Sequence, residues 1–187
     1  MKSFLASFGL FSEAEIEAVL SLGKTERLAK GEFFIKEGSV CRKLAFVKSG
    51  LVRTYYHSSS SEEITYCFFF EGQMLSAYSS LITGEATSEN LEALADTELF
   101  VLSKATLDEL VASDTRWLLL TKIIAEQQYL ELEKRIFLLQ KEKAEKRYAD
   151  LLQSQPEYLQ HIPLQYLASY LGITQRHLSR LRKGDSF

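Results

Sequence analysis

The residues best suited to chemistry lie in the last two dozen positions, in the run I-P-L-Q-Y-L-A-S-Y-L-G-I-T-Q-R-H-L-S-R-L-R-K from Ile162 to Lys183. Its outward-facing residues are Gln175, Arg176, Ser179, Arg180 and Lys183, all polar donors without one carboxylate among them. Side chains of this kind suit base edges: Arg matches the O6/N7 pair of guanine, and Gln the N6/N7 pair of adenine. Thr174, just ahead of them at a helix N-terminus, is placed for a phosphate. The candidate DNA-contacting set is therefore Thr174, Gln175, Arg176, Ser179, Arg180 and Lys183.

The surrounding residues say how that set would be held. Pro163 suits a helix start, where its missing N–H costs nothing. Leu167 and Leu171 share one face of a first helix, and Ala168 is small enough to let a second helix approach. Gly172 can take the positive φ that ends the first helix, Ile173 plugs the corner, and Thr174 caps the second helix. Leu178 and Leu181 face inward. Small, glycine and apolar residues at these offsets make a helix-turn-helix pattern.

Other candidates for chemistry are weaker. His57, His161 and His177 are far apart in the chain, and two lie outside the β-rich region, so no His-and-carboxylate metal set is expected. The serines of Ser58–Ser61 read as a polar loop, and no glycine-rich phosphate loop is present. Cys41 and Cys67 are too few for a disulfide scaffold or a four-thiolate site. Cys41 has Arg42 and Lys43 beside it and is the better candidate for reactivity; Cys67 sits in an apolar run and is expected to be buried and inert. These readings point away from an enzyme and toward a protein with no cofactor and no metal. The reduced thiols, an N-terminus read as mature protein and the lack of a run of ~20 apolar residues suggest a cytoplasmic location with no membrane partner.

Positioning the C-terminal set takes three segments in 187 residues. Residues 1–113 carry a net charge of −6, residues 114–140 of zero and residues 141–187 of +3, so a partner would meet the tail electrostatically. Ser12 and Glu15 form a capping box that opens a first helix, with Gly23 as its stop. From Lys24 to about Ser103 the chain is rich in Phe, Tyr, Val, Ile and Thr, punctuated by glycine, and predicts short strands of a barrel or jelly roll. Thr106 opens another capping box, and Asp114 can cap a long helix from Thr115 to about Gln140. One face of that helix can lie on the β domain; a second, Leu120, Ile123, Gln127, Leu130, Lys134 and Phe137, follows the 3–4 spacing of a seam against a second copy, with Gln127 and Lys134 weakening it and a long helix buried within its own chain as the alternative. A charged helix, K-E-K-A-E-K-R-Y-A-D-L-L-Q, and a connection over Gln153–Gln160 lead into the helix-turn-helix.

The whole pattern resembles the Crp/Fnr family of bacterial transcription regulators. The resemblance rests on K-G-E-F-F-I-K-E-G at Lys30–Gly38, L-A-F-V-K-S-G-L-V-R at Leu44–Arg53, F-F-E-G-Q-M at Phe69–Met74 and the helix-turn-helix itself. It implies an α+β fold in three parts. A β jelly roll (double-stranded β-helix) sensor of the cyclic-nucleotide-binding kind covers 1–113, a dimerisation helix 114–140, and a helix-turn-helix domain without a clear wing 141–187. It implies a homodimer held by Leu120, Ile123, Gln127, Leu130 and Phe137. Double-stranded DNA would be the partner, read at an inverted repeat, with RNA polymerase as a further one. A small-molecule effector would meet Met74, Ala77, Tyr78, Thr87 and Ser88. Members that bind cyclic AMP carry a Glu for the ribose and an Arg followed by a small polar residue for the phosphate. Here those positions hold Ala77 and Thr87–Ser88, so a buried phosphate would lack a cation, and tight cyclic AMP binding is not expected. The family's oxygen-sensing iron–sulfur cluster needs four Cys, and a haem needs an axial ligand, for which His57 at a strand end is a poor choice. The missing wing implies lower non-specific DNA affinity. The competing expectation is a ligand-binding or protein-interaction module with a degenerate DNA-binding tail.

Overall fold

The alternation of apolar side chains in the first half of the chain resolves into two facing sheets. The computed structural model describes residues 1–184. Its strands are β1 (Lys24–Leu28), β2 (Phe33–Ile35), β3 (Lys43–Ser49), β4 (Leu51–His57), β5 (Glu63–Phe70), β6 (Met74–Leu75), β7 (Asn90–Ala93) and β8 (Thr97–Ser103). One sheet has the order β1-β8-β3-β6 and the other β2-β7-β4-β5. Registers such as Ala45↔Val101, Phe46↔Phe100 and Val52↔Ala93 are antiparallel. Ala45, Val47, Leu99 and Val101 of the first sheet meet Phe34, Val52, Leu91 and Ala93 of the second in one buried core. The intervening residues Phe46, Phe100 and Leu102 point the other way, as a period of two requires, and there they meet Val19, Phe4, Leu107 and Trp117. The result is a jelly-roll-like sandwich with a helical layer on one sheet.

That layer consists of α1 (Lys2–Ser7), α2 (Glu13–Leu22), α4 (Lys104–Ser113) and the start of α5 (Thr115–Lys141); α3 (Tyr78–Thr83) lies between β6 and β7. Ser12 and Glu15 make the capping box expected of them. Gly23 does not end α2 by a positive φ: its φ is −94°, and a Cβ there would overlap the Phe100 ring. Glycine at that position serves close approach, not a left-handed turn. Ser103, not Thr106, caps α4, its hydroxyl accepting the Thr106 N–H at 3.0 Å. Asp114 caps α5 as expected, accepting the Arg116 N–H at 2.8 Å. Within the β-rich region the apolar stretch from Glu89 to Ser103 holds two strands, β7 and β8, separated by Leu94–Asp96. The C-terminal part comprises α6 (Ala144–Ser154), α7 (Glu157–His161), α8 (Leu164–Leu171) and α9 (Gln175–Lys183). The expected connection after Gln153 thus contains a short helix, with Pro156 preceding its first turn.

The chain forms two compact units. One unit is Met1–His57 with Cys67–Ile124; the other is Ser58–Tyr66 with the described residues from Ala125 to Gly184. The first part of α5 belongs to the barrel unit because Leu120 is buried with Leu5 and Ile16, while Trp117 stacks on Phe11. Arg116 ties the same turn to α2: its guanidinium donates to Glu15, Asp114 and the Leu10 carbonyl. Those donors hold the Glu15 carboxyl down to about 2, first through Arg116 and then through Ser12. A depressed carboxylate contributes stability above its unfolded value and loses it as pH falls toward its folded one. The barrel unit should therefore lose stability between its ordinary 4.5 and about 2. In Arg116→Ala, Glu15 should titrate closer to 4.5, as read by NMR of its side-chain carboxyl carbon; an unmoved midpoint would assign the shift elsewhere.

Candidate nucleic-acid interface

The helix-turn-helix is built around four side chains with almost no exposure: Leu167, Ala168 and Leu171 of α8, and Leu178 of α9. Ala168 is the small residue of the set, and Leu178 is turned inward as expected. Gly172 ends α8 with φ 65° and ψ 38°, and its N–H and that of Ile173 return to the carbonyls of Ser169 and Ala168 at 3.0 Å. A Cβ at Gly172 would meet Leu139 at 3.5 Å, an ordinary contact, so space is available and the positive φ alone selects glycine. Thr174 caps α9 with its hydroxyl accepting the His177 N–H at 3.2 Å.

With Leu178 buried, the opposite face of α9 must be exposed. Thr174, Gln175, Arg176, Arg180 and Lys183 are exposed, and Ser179 is half-buried. Arg182 is exposed as well. It was not among the expected contacts, although it lies seven residues after Gln175 and so returns to the same side after two turns. Arg180, Arg182 and Lys183 fill the last turn, where positive charge also complements the helix dipole. The described part of α9 carries no acidic residue. His177 points elsewhere, its Nε2 3.8 Å from the Glu145 carboxylate of α6.

Arg147 braces the corner between α5 and α6, donating to the Glu142 and Leu139 carbonyls at 2.9 and 3.3 Å. It thereby satisfies carbonyls that the end of α5 leaves open.

The expected effector residues do not all converge. Ala77 is buried in the sandwich core and Thr87 is nearly so, its hydroxyl accepting the Glu89 N–H at 3.0 Å. Ser88 and Tyr78 are exposed. Met74 belongs to the other side of its sheet, packed with Phe46, Phe100 and Leu102, because the pleat turns Leu75 inward and Met74 outward. Of the expected seam, Leu120 is occupied within its own chain by Leu5 and Ile16. Ile123 is half-buried, and Gln127, Leu130, Lys134 and Phe137 are exposed. The exposed apolar stripe of α5 is Leu118, Leu119, Tyr129, Leu130, Leu132, Ile136 and Phe137, one position away from Leu120 at its start. Cys41, the thiol expected to be the more reactive, is buried, with Sγ 3.3 Å from the Lys43 carbonyl, whereas Cys67 is half-buried. His57 closes β4 with Nδ1 2.9 Å from a Glu37 carboxylate oxygen. Among the described residues no group of three or more His, Cys, Asp and Glu is arranged to hold a metal, and no helix is long and apolar enough to cross a membrane.

Residues 25–114 match the cyclic nucleotide-binding domain family. No curated protein matches the chain. Among solved structures, it resembles FixK2 from Bradyrhizobium japonicum at 19% identity and a TM-score of 0.78, covering 87% of this chain and 83% of that one. It resembles the c-di-GMP-responsive global regulator CLP of Xanthomonas campestris at 19% identity and a TM-score of 0.73, over 92% and 91% of the two chains. A third structure, assigned to the crp/fnr family of transcriptional regulators in Eubacterium rectale, aligns at 19% identity and a TM-score of 0.73, over 97% and 86%.

Two substitutions test the corner. Gly172→Ala should cost about 1–2 kcal/mol, the expense of a left-handed residue with a Cβ. Leu178→Ala should cost about 2–5 kcal/mol through the cavity it leaves. Both are read by denaturant unfolding followed through the C-terminal unit, and a loss confined to the barrel would contradict the assignment.

Proposed function

We propose that this chain, which carries a cyclic nucleotide-binding domain and has the fold of the Crp/Fnr regulators, is a DNA-binding transcription regulator that reads an inverted repeat as a homodimer. The observation that carries this reading is the exposed, acid-free face of α9, with Gln175, Arg176 and Arg180 toward its start and middle and Arg182 and Lys183 at its end. Side chains in the first turns of such a helix reach base edges in the major groove, and the later cations neutralise phosphates.

The homodimer is supported by α5. Its exposed Leu, Ile, Tyr and Phe side chains form a stripe too long and too apolar to be left to water, and Ala125, Glu126, Tyr129 and Leu130 line a shallow depression within it. A second copy of the same stripe is the self-complementary partner that a two-fold interface needs. Pairing through α5 would set two recognition helices about one turn of DNA apart.

The effector, if the barrel takes one, is not cyclic AMP. Ala77 offers no carboxylate to a ribose. Thr87 offers no cation to a phosphate, and its hydroxyl is already engaged. The protein acts by binding and not by catalysis.

Two measurements test this reading. Gel shifts against a random duplex pool should recover an inverted repeat whose affinity falls steeply with salt, by about 0.9 in log K per phosphate contact for each decade. Arg180→Ala should cost about 1–3 kcal/mol at one base pair if that side chain reads a base. Absence of binding to any duplex at low salt would instead assign the chain to protein contacts. Calorimetry with cyclic AMP should show no heat at micromolar concentrations; a micromolar dissociation constant would overturn the reading of Ala77 and Thr87.

A further inference from the structure

The tip of the β4–β5 hairpin, residues 58–66, belongs to the same compact unit as the helix-turn-helix, although its strands are part of a barrel sheet. Among the described residues β5 is the last strand in the order of that sheet. At that edge the Ser169 hydroxyl of α8 stands in for a strand: it accepts the Thr65 N–H at 2.9 Å and donates to the Glu63 carbonyl at 3.0 Å. Residues 63 and 65 present this N–H and C=O to the same side, as alternate strand residues do. Arg135 of α5 completes the contact. Its Nη2 donates to the Tyr170 carbonyl at 3.0 Å and to the Thr65 carbonyl at 3.4 Å, and its guanidinium lies 3.9 Å from the centre of the Tyr170 ring. The Tyr170 ring also meets Tyr158 edge-on at 5.7 Å.

We propose that Ser169 and Arg135 form a latch that fixes α8 to the hairpin tip, making the hairpin the positioning element for the recognition helix. The chemistry is selective. A single hydroxyl both gives and takes a hydrogen bond, so it fills one donor and one acceptor of a strand edge at once. At residues 63 and 65 the edge is thereby occupied, and an occupied position cannot pair with another chain. α8 passes its position to α9 through Gly172 and the burial of Leu178, so holding α8 holds the DNA-reading face. The functional half of this inference rests on the DNA-binding reading above.

The test is hydrogen exchange on the full chain, with and without Ser169→Ala, and with Ser169→Thr as the rescue. Alanine favours the helix intrinsically, so any loss arises from the hydroxyl and not from α8 itself. The Thr65 amide should exchange about tenfold faster or more in Ser169→Ala and near the original rate in Ser169→Thr, with β8 protection unchanged. Affinity for a selected inverted-repeat duplex should weaken about three- to tenfold in Ser169→Ala and recover in Ser169→Thr, as a smaller fraction of molecules holds the competent arrangement. Unchanged Thr65 exchange in Ser169→Ala overturns the latch. Faster exchange with unchanged duplex affinity overturns its positioning role. If the original protein binds no duplex at all, the DNA-binding reading fails and with it the positioning role, while the exchange result still decides whether the contact exists.

Discussion

The burial of Leu178 is the constraint on which the exposed face of α9 depends. A nine-residue helix has two sides, and once Leu178 is sealed beneath Leu167, Ala168 and Leu171 the other side has to face outward. The residues left there are amides, hydroxyls and cations. Gly172 makes the seal achievable, because α8 has to end in a left-handed residue for α9 to turn back onto it. The same corner gives α9 its N-terminal cap in Thr174, so the geometry that packs the helix also finishes it.

The barrel follows a different logic, that of alternation. Neighbouring residues of β3 and β8 face the sandwich core and the helical layer in turn, so one run of sequence serves two cores. This explains why the strands look almost continuously apolar. It also explains why the segment from Met74 to Ser88 offers few polar groups: Ala77 and Leu75 lie in the core, and Thr87 is turned to its own loop. A site lined this way has little to offer a charged nucleotide.

The sequence made the helix-turn-helix legible because its signals are local: a glycine at a stop, a threonine at a start, leucines at set offsets. The jelly roll was legible from composition and glycine spacing. What escaped was set by tertiary contact. Leu120 and Leu119 are equally apolar, and only the proximity of Leu5 and Ile16 decides that Leu120 turns inward and Leu119 remains exposed. Met74 and Leu75 are adjacent and alike, and the pleat separates them. Helix α1 in M-K-S-F-L-A-S has no capping signal and owes its place to Leu5 and Phe4 packing into the helical layer. Ser169 gave no sign at all, because a serine on a helix flank reads as solvent-facing until the strand edge it touches is known.

The proposal that two α9 faces, paired through the α5 stripe, enter the major groove together is tested most directly by hydroxyl-radical footprinting of the protein on its selected duplex. Two protected half-sites are expected on one face of the DNA, centred about one helical turn, or about 34 Å, apart. A single protected half-site, or uniform cleavage under conditions where the protein is bound, would contradict it.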